Sequence, residues 1–180
     1  MFESLKRQEF RDYFQPSRVV IAFVRSEKYS YNPITLCFSM YCSYKPNIIS
    51  FAVQKTNFTY GLIKKAEDCV LAIPGERIVE ETLFCGEKSG RKIDKILECG
   101  FSMISSSYVD TPSLEQAKAN VELKIIKTVD IGDHVTVFGE VKNFSVNKNN
   151  KQRNILSVGS DNYGYKVLLR RGIHRLAVID

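Results

Sequence analysis

The chain contains no tryptophan, only two histidines (His134 and His174), and no C-x-x-C pair among its five cysteines. Without tryptophan, any ring stacking falls to the nine tyrosines and eleven phenylalanines. A structural zinc site needs Cys or His paired at short spacing, and neither histidine lies near a cysteine in sequence, so no metal site is expected. An odd cysteine count (Cys37, Cys42, Cys69, Cys85, Cys99) without an export signal leaves reduced thiols as the expectation. No apolar run approaches the roughly 18 residues of a membrane-spanning helix. Residues 1–13 carry Glu3, Lys6, Arg7, Glu9, Arg11 and Asp12, with no apolar secretory core, so a cytoplasmic location is expected.

Several catalytic signatures are also missing. No G-x-G-x-x-G follows a strand-like run, which removes the Rossmann dinucleotide fingerprint. There is no P-loop, no G-x-S-x-G nucleophile elbow and no H-E-x-x-H helix.

What is present is an ordinary globular composition, 44% hydrophobic and 26% charged, with a net charge of +6 and pI near 9.0. At 180 residues a single domain spanning 1–180 is expected, large enough for a real core. The basic balance suits anionic partners, whether nucleic acid, acidic lipid or a phosphate-bearing small molecule, and it also serves solubility.

Residues 18–25 (RVVIAFVR) form a short β-branched apolar run that reads as a buried strand. Residues 34–41 read as a second strand, Lys45-Pro46-Asn47 as a turn, 48–53 as a third strand and 69–73 as a fourth. Helical period appears over 59–65, with Thr59 as N-cap, over 76–84, and over 92–99 with Gly100 as a stop. Residues 120–129 alternate Val121, Leu123 and Ile125 against Glu122 and Lys124, the mark of a strand with one buried face. After a turn at 130–133, residues 134–146 continue as a long strand. Gly139 lies inside it, where a bulge or a close approach is expected. The polar tract 147–154 reads as an exposed loop. The fold class is mainly β with short helices, a barrel or a sandwich.

Two clusters offer anion chemistry. Lys55, Thr56 and Thr59 join a strand to a short helix, where hydroxyls and a cation can meet phosphate. The segment 85–95 (CGEKSGRKIDK) sets Ser89, Gly90, Arg91 and Lys95 in a glycine-loosened, cation-rich loop; a charged surface loop would read the same way. His134 opens a strand after Gly132-Asp133, and a lone histidine is more often a satisfied structural residue than a catalytic one. Cys85 reads as a small apolar filler rather than a reactive thiol.

Taken in order, these motifs resemble the flavin-reductase-like family, and within it the flavoredoxin-type FMN proteins. The carrying residues are Pro16-Ser17-Arg18-Val19-Val20, Asn32-Pro33-Ile34-Thr35 with Ser39, Lys45-Pro46-Asn47, the run TNFTYGLI at 56–63, CGEKSGRKIDK at 85–95, and Gly132-Asp133-His134 with Phe138-Gly139-Glu140-Val141. The likeness extends over about residues 14–170, weakening in the tail at 163–180, in the Pro33-Ile34-Thr35 stretch and at Cys37, Tyr41 and Cys42. It implies a split β-barrel, a homodimer, and an FMN site near the subunit interface. On this chain it implies Asn32, Thr35 and Ser39 along the flavin ring or ribityl chain. Lys55, Thr56 and Thr59 would meet the ribityl hydroxyls or the phosphate, Ser89, Gly90, Arg91 and Lys95 would complete the anion pocket, and His134 would stand near the reacting face.

The implied activity is an NAD(P)H-dependent flavin reductase or flavin-linked oxidoreductase passing electrons to an unidentified acceptor. An FMN-containing electron carrier reduced by a partner protein is the alternative, suited by the basic surface. A nucleic-acid-binding barrel is disfavoured, because no interleaved basic and aromatic stripe accompanies the charge.

Overall fold

The structure is a computed structural model and describes residues 13–149, 151–159 and 164–179. Its centre is a seven-stranded antiparallel sheet in the order β3-β2-β6-β9-β10-β5-β4. These strands are β2 (Val20–Ser26), β3 (Ser30–Leu36), β4 (Ser39–Tyr44), β5 (Asn47–Gln54), β6 (Asp68–Ile73), β9 (Ala119–Ile131) and β10 (His134–Val146). The two edge strands, β3 and β4, are consecutive in the chain and separated only by Cys37 and Phe38. A two-residue link cannot cross a flat seven-stranded sheet, whose neighbours lie about 4.8 Å apart. The sheet therefore curls until its edges approach, without closing its hydrogen-bond ladder: a split barrel.

Residues 34–41 are thus not one strand, as their composition had implied. The chain leaves the β2 edge after Leu36 and joins β5 instead, with the Ala52 amide donating to the Phe38 carbonyl at 3.0 Å.

The apolar run of β2 is buried on both faces. Val20, Ala22 and Val24 point into the barrel with Leu36, Phe51, Val53, Leu71, Leu123, Val135 and Val137. Ile21 and Phe23 point outward onto Ile78, Cys85, Phe101 and Leu114, under the short helices. Period-two alternation sends neighbours to opposite faces, so only a strand covered on both sides can be apolar throughout.

The long β9–β10 hairpin turns through Gly132-Asp133, with Gly132 at φ 53°, a conformation glycine adopts without steric cost. Gly139 sits at the first of two register shifts in this pair. A Cβ built there would stand 2.9 Å from the buried Leu123 side chain, so both the bulge and the close approach expected of this glycine occur.

Helix α1 (Phe58–Ile63) follows β5, α2 (Val79–Glu87) continues a 3-10 turn at Glu76–Ile78, and α3 (Lys95–Glu98) is shorter than the 92–99 periodicity had indicated. Asp94 sets the start of α3, accepting from the Ile96 and Leu97 amides at 3.0 and 3.2 Å. Thr59 is not an N-cap: Asn57 holds that position, and Thr59 is buried inside the first turn of α1.

A second sheet, in the order β1-β11-β13-β12, covers the outer side of α2. It consists of β1 (Ser17–Arg18), β11 (Leu156–Ser157), β12 (Tyr165–Arg171) and β13 (His174–Ile179). It packs through Val19, Leu83, Ile155 and Leu176. The remaining pair, β7 (Met103–Ile104) and β8 (Ser113–Leu114), flanks the loop that carries Tyr108. That loop is pinned by Glu122, which is buried in β9 and accepts from the Ser107 and Tyr108 amides and from Asn143 Nδ2. A buried carboxylate satisfied on all sides is part of the framework.

Candidate functional site

The barrel's β3 edge, the first turn of α1, the end of α2 and the start of α3 converge on a small polar cleft of about 120 Å³. Thr56, Thr59, Ser89, Gly90 and Lys95 line it, with the backbone from Cys85 to Lys88 and the Ile34 side of β3. Two segments about 30 residues apart in sequence, 56–59 and 85–95, therefore meet in space. A cleft of this size and polarity suits a phosphate-sized group.

Asn32 organises the floor. It is buried in β3, and its Nδ2 donates to Thr59 Oγ1 at 2.9 Å. Its Oδ1 lies 1.9 Å from where a Cβ on residue 90 would be, so this loop closes over β3 only because residue 90 is glycine. Thr35 is also on β3, but its hydroxyl donates to the Thr82 carbonyl of α2 and its side chain rests against Gly86. It fixes α2 on the barrel.

Lys95 is the unusual member. Its side chain is buried, and its Nζ donates to the Cys85 carbonyl at 3.0 Å. Among the described residues no carboxylate pairs with it. Burial lowers its pKa below the ordinary lysine value, against the opposing influence of the Cys85 and Cys99 sulfurs. Glu87 also lines the cleft, yet its carboxylate is engaged by Arg171 Nη1 at 3.0 Å. A buried ammonium with one neutral acceptor is a costly arrangement that an arriving anion relieves. This donor set of a buried cation, three hydroxyls and a glycine with no Cβ to obstruct approach fits the phosphate of a flavin mononucleotide.

Lys55 and Arg91 stand on the far side of the Asn57-Phe58 wall. They line a larger open cleft of about 860 Å³ that shares those two residues with the small one. Arg91 lies over the Phe58 ring at 5.9 Å and receives the Lys28 ammonium on its carbonyl. Lys55 clamps the β9–β10 turn, its amide donating to the Asp133 carbonyl at 2.9 Å and its Nζ to the Gly132 carbonyl at 2.8 Å.

Ser39 and His134 line neither cleft. Ser39 borders a third cavity of about 310 Å³ with Arg18, Met40, Tyr41 and Phe144. His134 packs at a tilt of 40° against Phe38 with ring centroids 5.7 Å apart, and its Nδ1 meets Asp133 Oδ1 at 2.7 Å. The structure thus gathers Asn32, Thr56, Thr59, Ser89, Gly90 and Lys95 into one site, with Thr35 at its edge. It sets Lys55 and Arg91 beside that site, and Ser39 and His134 away from it: Ser39 pairs with the buried Phe51 on the β4 edge, and His134 opens β10 beside Phe38.

Glu87 and Lys88 were not singled out in the sequence, although they lie inside the same motif. Phe58, the wall between the clefts, carried no signal beyond helical spacing.

A family model described as the flavin reductase like domain matches residues 10–166. The chain belongs to this family. Relatives include an uncharacterised protein of Archaeoglobus fulgidus, 28% identical over 130 residues and matched over 72% of each chain. A protein of Pyrococcus abyssi is 30% identical over 99 residues, 55% of this chain and 56% of its own length. In fold, the chain is similar to flavoredoxin of Desulfovibrio vulgaris (TM-score 0.76, 20% identity, 89% of this chain and 90% of that one). It is similar as well to an FMN-binding protein of Thermus thermophilus (TM-score 0.78, 18% identity, 100% and 97%). An NADH:FAD oxidoreductase of Streptomyces globisporus shares the fold at TM-score 0.73 and 15% identity, over 87% and 93%. The family's split barrel is thus the fold found here, and among the described residues no helix is long and apolar enough to cross a membrane.

Proposed function

We propose that this chain, folded as one domain over 1–180, binds FMN and acts as an NAD(P)H-dependent oxidoreductase of the flavin reductase type, passing electrons to a separate acceptor. The observation that carries the reading is the buried Lys95 ammonium, without a carboxylate partner among the described residues, in a cleft walled by family-motif hydroxyls. Bound there, the flavin supplies the two-electron chemistry, which needs no protein nucleophile.

The chain's own residues have four tasks in this reading. Lys95 and the hydroxyls of Thr56, Thr59 and Ser89 hold the phosphate. Asn32 orders Thr59 and supports the Gly90 loop. Lys55 and Arg91 supply positive potential from the neighbouring cleft. His134, held through Nδ1 by Asp133 and packed beside Phe38, stands near the reacting face of the ring in this reading.

A homodimer completes the proposal. Phe38, just before β4, and Met40, on β4, are 51% and 64% exposed, and Phe138 stands opposite Ser50, which itself faces Met40, so these residues present one apolar face beside His134. Exposed contiguous apolar surface of this kind marks an interface. Cytoplasmic location accords with the family reading.

The test is a comparison of FMN with riboflavin, which lacks the phosphate, by quenching of flavin fluorescence. Charge-assisted hydrogen bonds of about 1.5–3 kcal/mol predict that FMN binds at least about tenfold tighter. Equal affinities overturn the phosphate assignment.

A second reading, an electron carrier reduced by an acidic partner protein, draws on the basic charge of +6. It predicts slow reduction by nicotinamides and partner-dependent reduction that weakens with salt.

A further inference from the structure

Cys85 lines the anion cleft, and its sulfur meets that of a second cysteine, Cys99. Cys85, in the last turn of α2, is fully buried, and Cys99, the C-cap of α3, is half-buried; their sulfurs are 3.8 Å apart. We propose that Cys85 and Cys99 are a peroxide-sensitive dithiol that closes reversibly to a disulfide, and that its closure is coupled to the anion site through Lys95.

The pair is asymmetric in the way stepwise oxidation requires. Cys99 is the more accessible sulfur and meets peroxide first, its Sγ 3.8 Å from Cys85 Sγ and 4.0 Å from the Glu81 carbonyl. The sulfur–sulfur contact lowers the Cys99 pKa, whereas that contact and burial push the Cys85 thiol up. Cys99 thiolate attacks hydrogen peroxide: the S–O bond forms, the O–O bond breaks and hydroxide leaves. Cys85 sulfur then attacks the sulfenic sulfur, forming S–S, breaking S–O and releasing water as its own proton is given up. In total, two thiols lose two electrons and two protons while one peroxide becomes two waters.

The closure demands a shift of nearly 2 Å from the contact distance to a bonded S–S length of about 2.05 Å. The α3 end can give. Gly100 follows Cys99 at φ 60°, with open space around its α-carbon. The coupling to the cleft is direct, since the Cys85 carbonyl is the acceptor that holds Lys95 Nζ and the Cys99 amide bonds the Lys95 carbonyl at 3.1 Å. Cys69, in contrast, is buried on the barrel side with its thiol pushed up by burial, and has no sulfur neighbour among the described residues. Cys42 is exposed, its sulfur 4.0 Å from the Met40 carbonyl.

The experiment uses the full chain free of flavin, treated with stoichiometric hydrogen peroxide, alkylated and digested with trypsin. Cleavage after Lys88 and Lys95 puts Cys85 and Cys99 on separate peptides, so their disulfide appears as a linked pair that dithiothreitol separates. The linked pair is expected in the wild type and absent in Cys99→Ser, while Cys85→Ser leaves a Cys99 sulfenic acid that dimedone traps. Oxidation confined to Cys42, or a Cys99 sulfinic acid beside a free Cys85, overturns the dithiol. The wild-type mapping alone decides this even where a variant does not fold. The coupling rests on the flavin reading and is measured separately: the FMN dissociation constant is expected to change at least about fivefold on oxidation and return with dithiothreitol. An unchanged constant with the disulfide mapped overturns the coupling alone, and a chain that binds no FMN in either state points to the flavin reading instead.

Discussion

The side-chain oxygen of Asn32 occupies the space that a Cβ on residue 90 would need, 1.9 Å from its ideal position. Neither partner can yield, since Asn32 is buried and anchored to Thr59 at 2.9 Å. Gly90→Ala is expected to push the 85–95 loop off β3, at a cost of about 1–3 kcal/mol. It should also weaken FMN binding more than it lowers the unfolding midpoint of the flavin-free protein. Urea unfolding and FMN titration of the same variant measure the two effects; unaltered FMN affinity would remove the loop from the site.

The companion contact predicts a different pattern. Thr59→Val leaves the buried Asn32 Nδ2 without its acceptor and is expected to destabilise the chain by about 1–3 kcal/mol. Thr59→Ser keeps the oxygen and should recover most of that loss. Equal destabilisation by both variants would mean that the methyl group, rather than the hydrogen bond, carries the effect.

Lys95 gives a pH dependence with a defined sign. Burial lowers its pKa in the folded chain, while the unfolded chain titrates near the ordinary value of about 10.4. Between the two values the unfolded state binds more protons, so this group's contribution to stability rises with pH; below both, the penalty of the buried charge is present in full. Lys95→Met lacks the term. The stability of the wild type relative to Lys95→Met should therefore increase between pH 7 and pH 10, read by urea unfolding. Removing the ammonium should also weaken FMN binding about 10- to 100-fold. A stability gap independent of pH contradicts the assignment of a buried charge.

Gly139 tests the barrel rather than the site. Its neighbour Leu123 is fully buried, and a Cβ at 2.9 Å from that side chain must displace it. Gly139→Ala should lower stability by about 1–3 kcal/mol through overpacking, with FMN affinity in the folded fraction preserved.

The sequence made the barrel legible where one local rule decided the outcome. An unbroken apolar run marked β2, alternation marked β9, and Gly139 marked the bulge in β10. The anion cleft was readable as two motif segments, at 56–59 and 85–95, but not as a geometry. Nothing in the sequence says that Thr59 faces inward to receive Asn32, because one cap-compatible threonine looks like another until β3 is packed against it. The break at Cys37-Phe38 was hidden because both halves of residues 34–41 have strand composition, and the change of partner is a property of the curled sheet. The β12–β13 hairpin escaped for a similar reason: its burial comes from α2, a segment distant in sequence. The Cys85–Cys99 contact depends on the docking of α3, and a 14-residue separation carries no signal for it.

The most direct test of the account is the visible absorption of the purified chain after incubation with FMN and desalting, recorded without oxygen before and after NADH or NADPH. Retained flavin bands that bleach with either nucleotide are the predicted result. A colourless protein after desalting contradicts the FMN site, and retained bands that neither nucleotide bleaches contradict the nicotinamide-dependent reaction and favour the electron carrier.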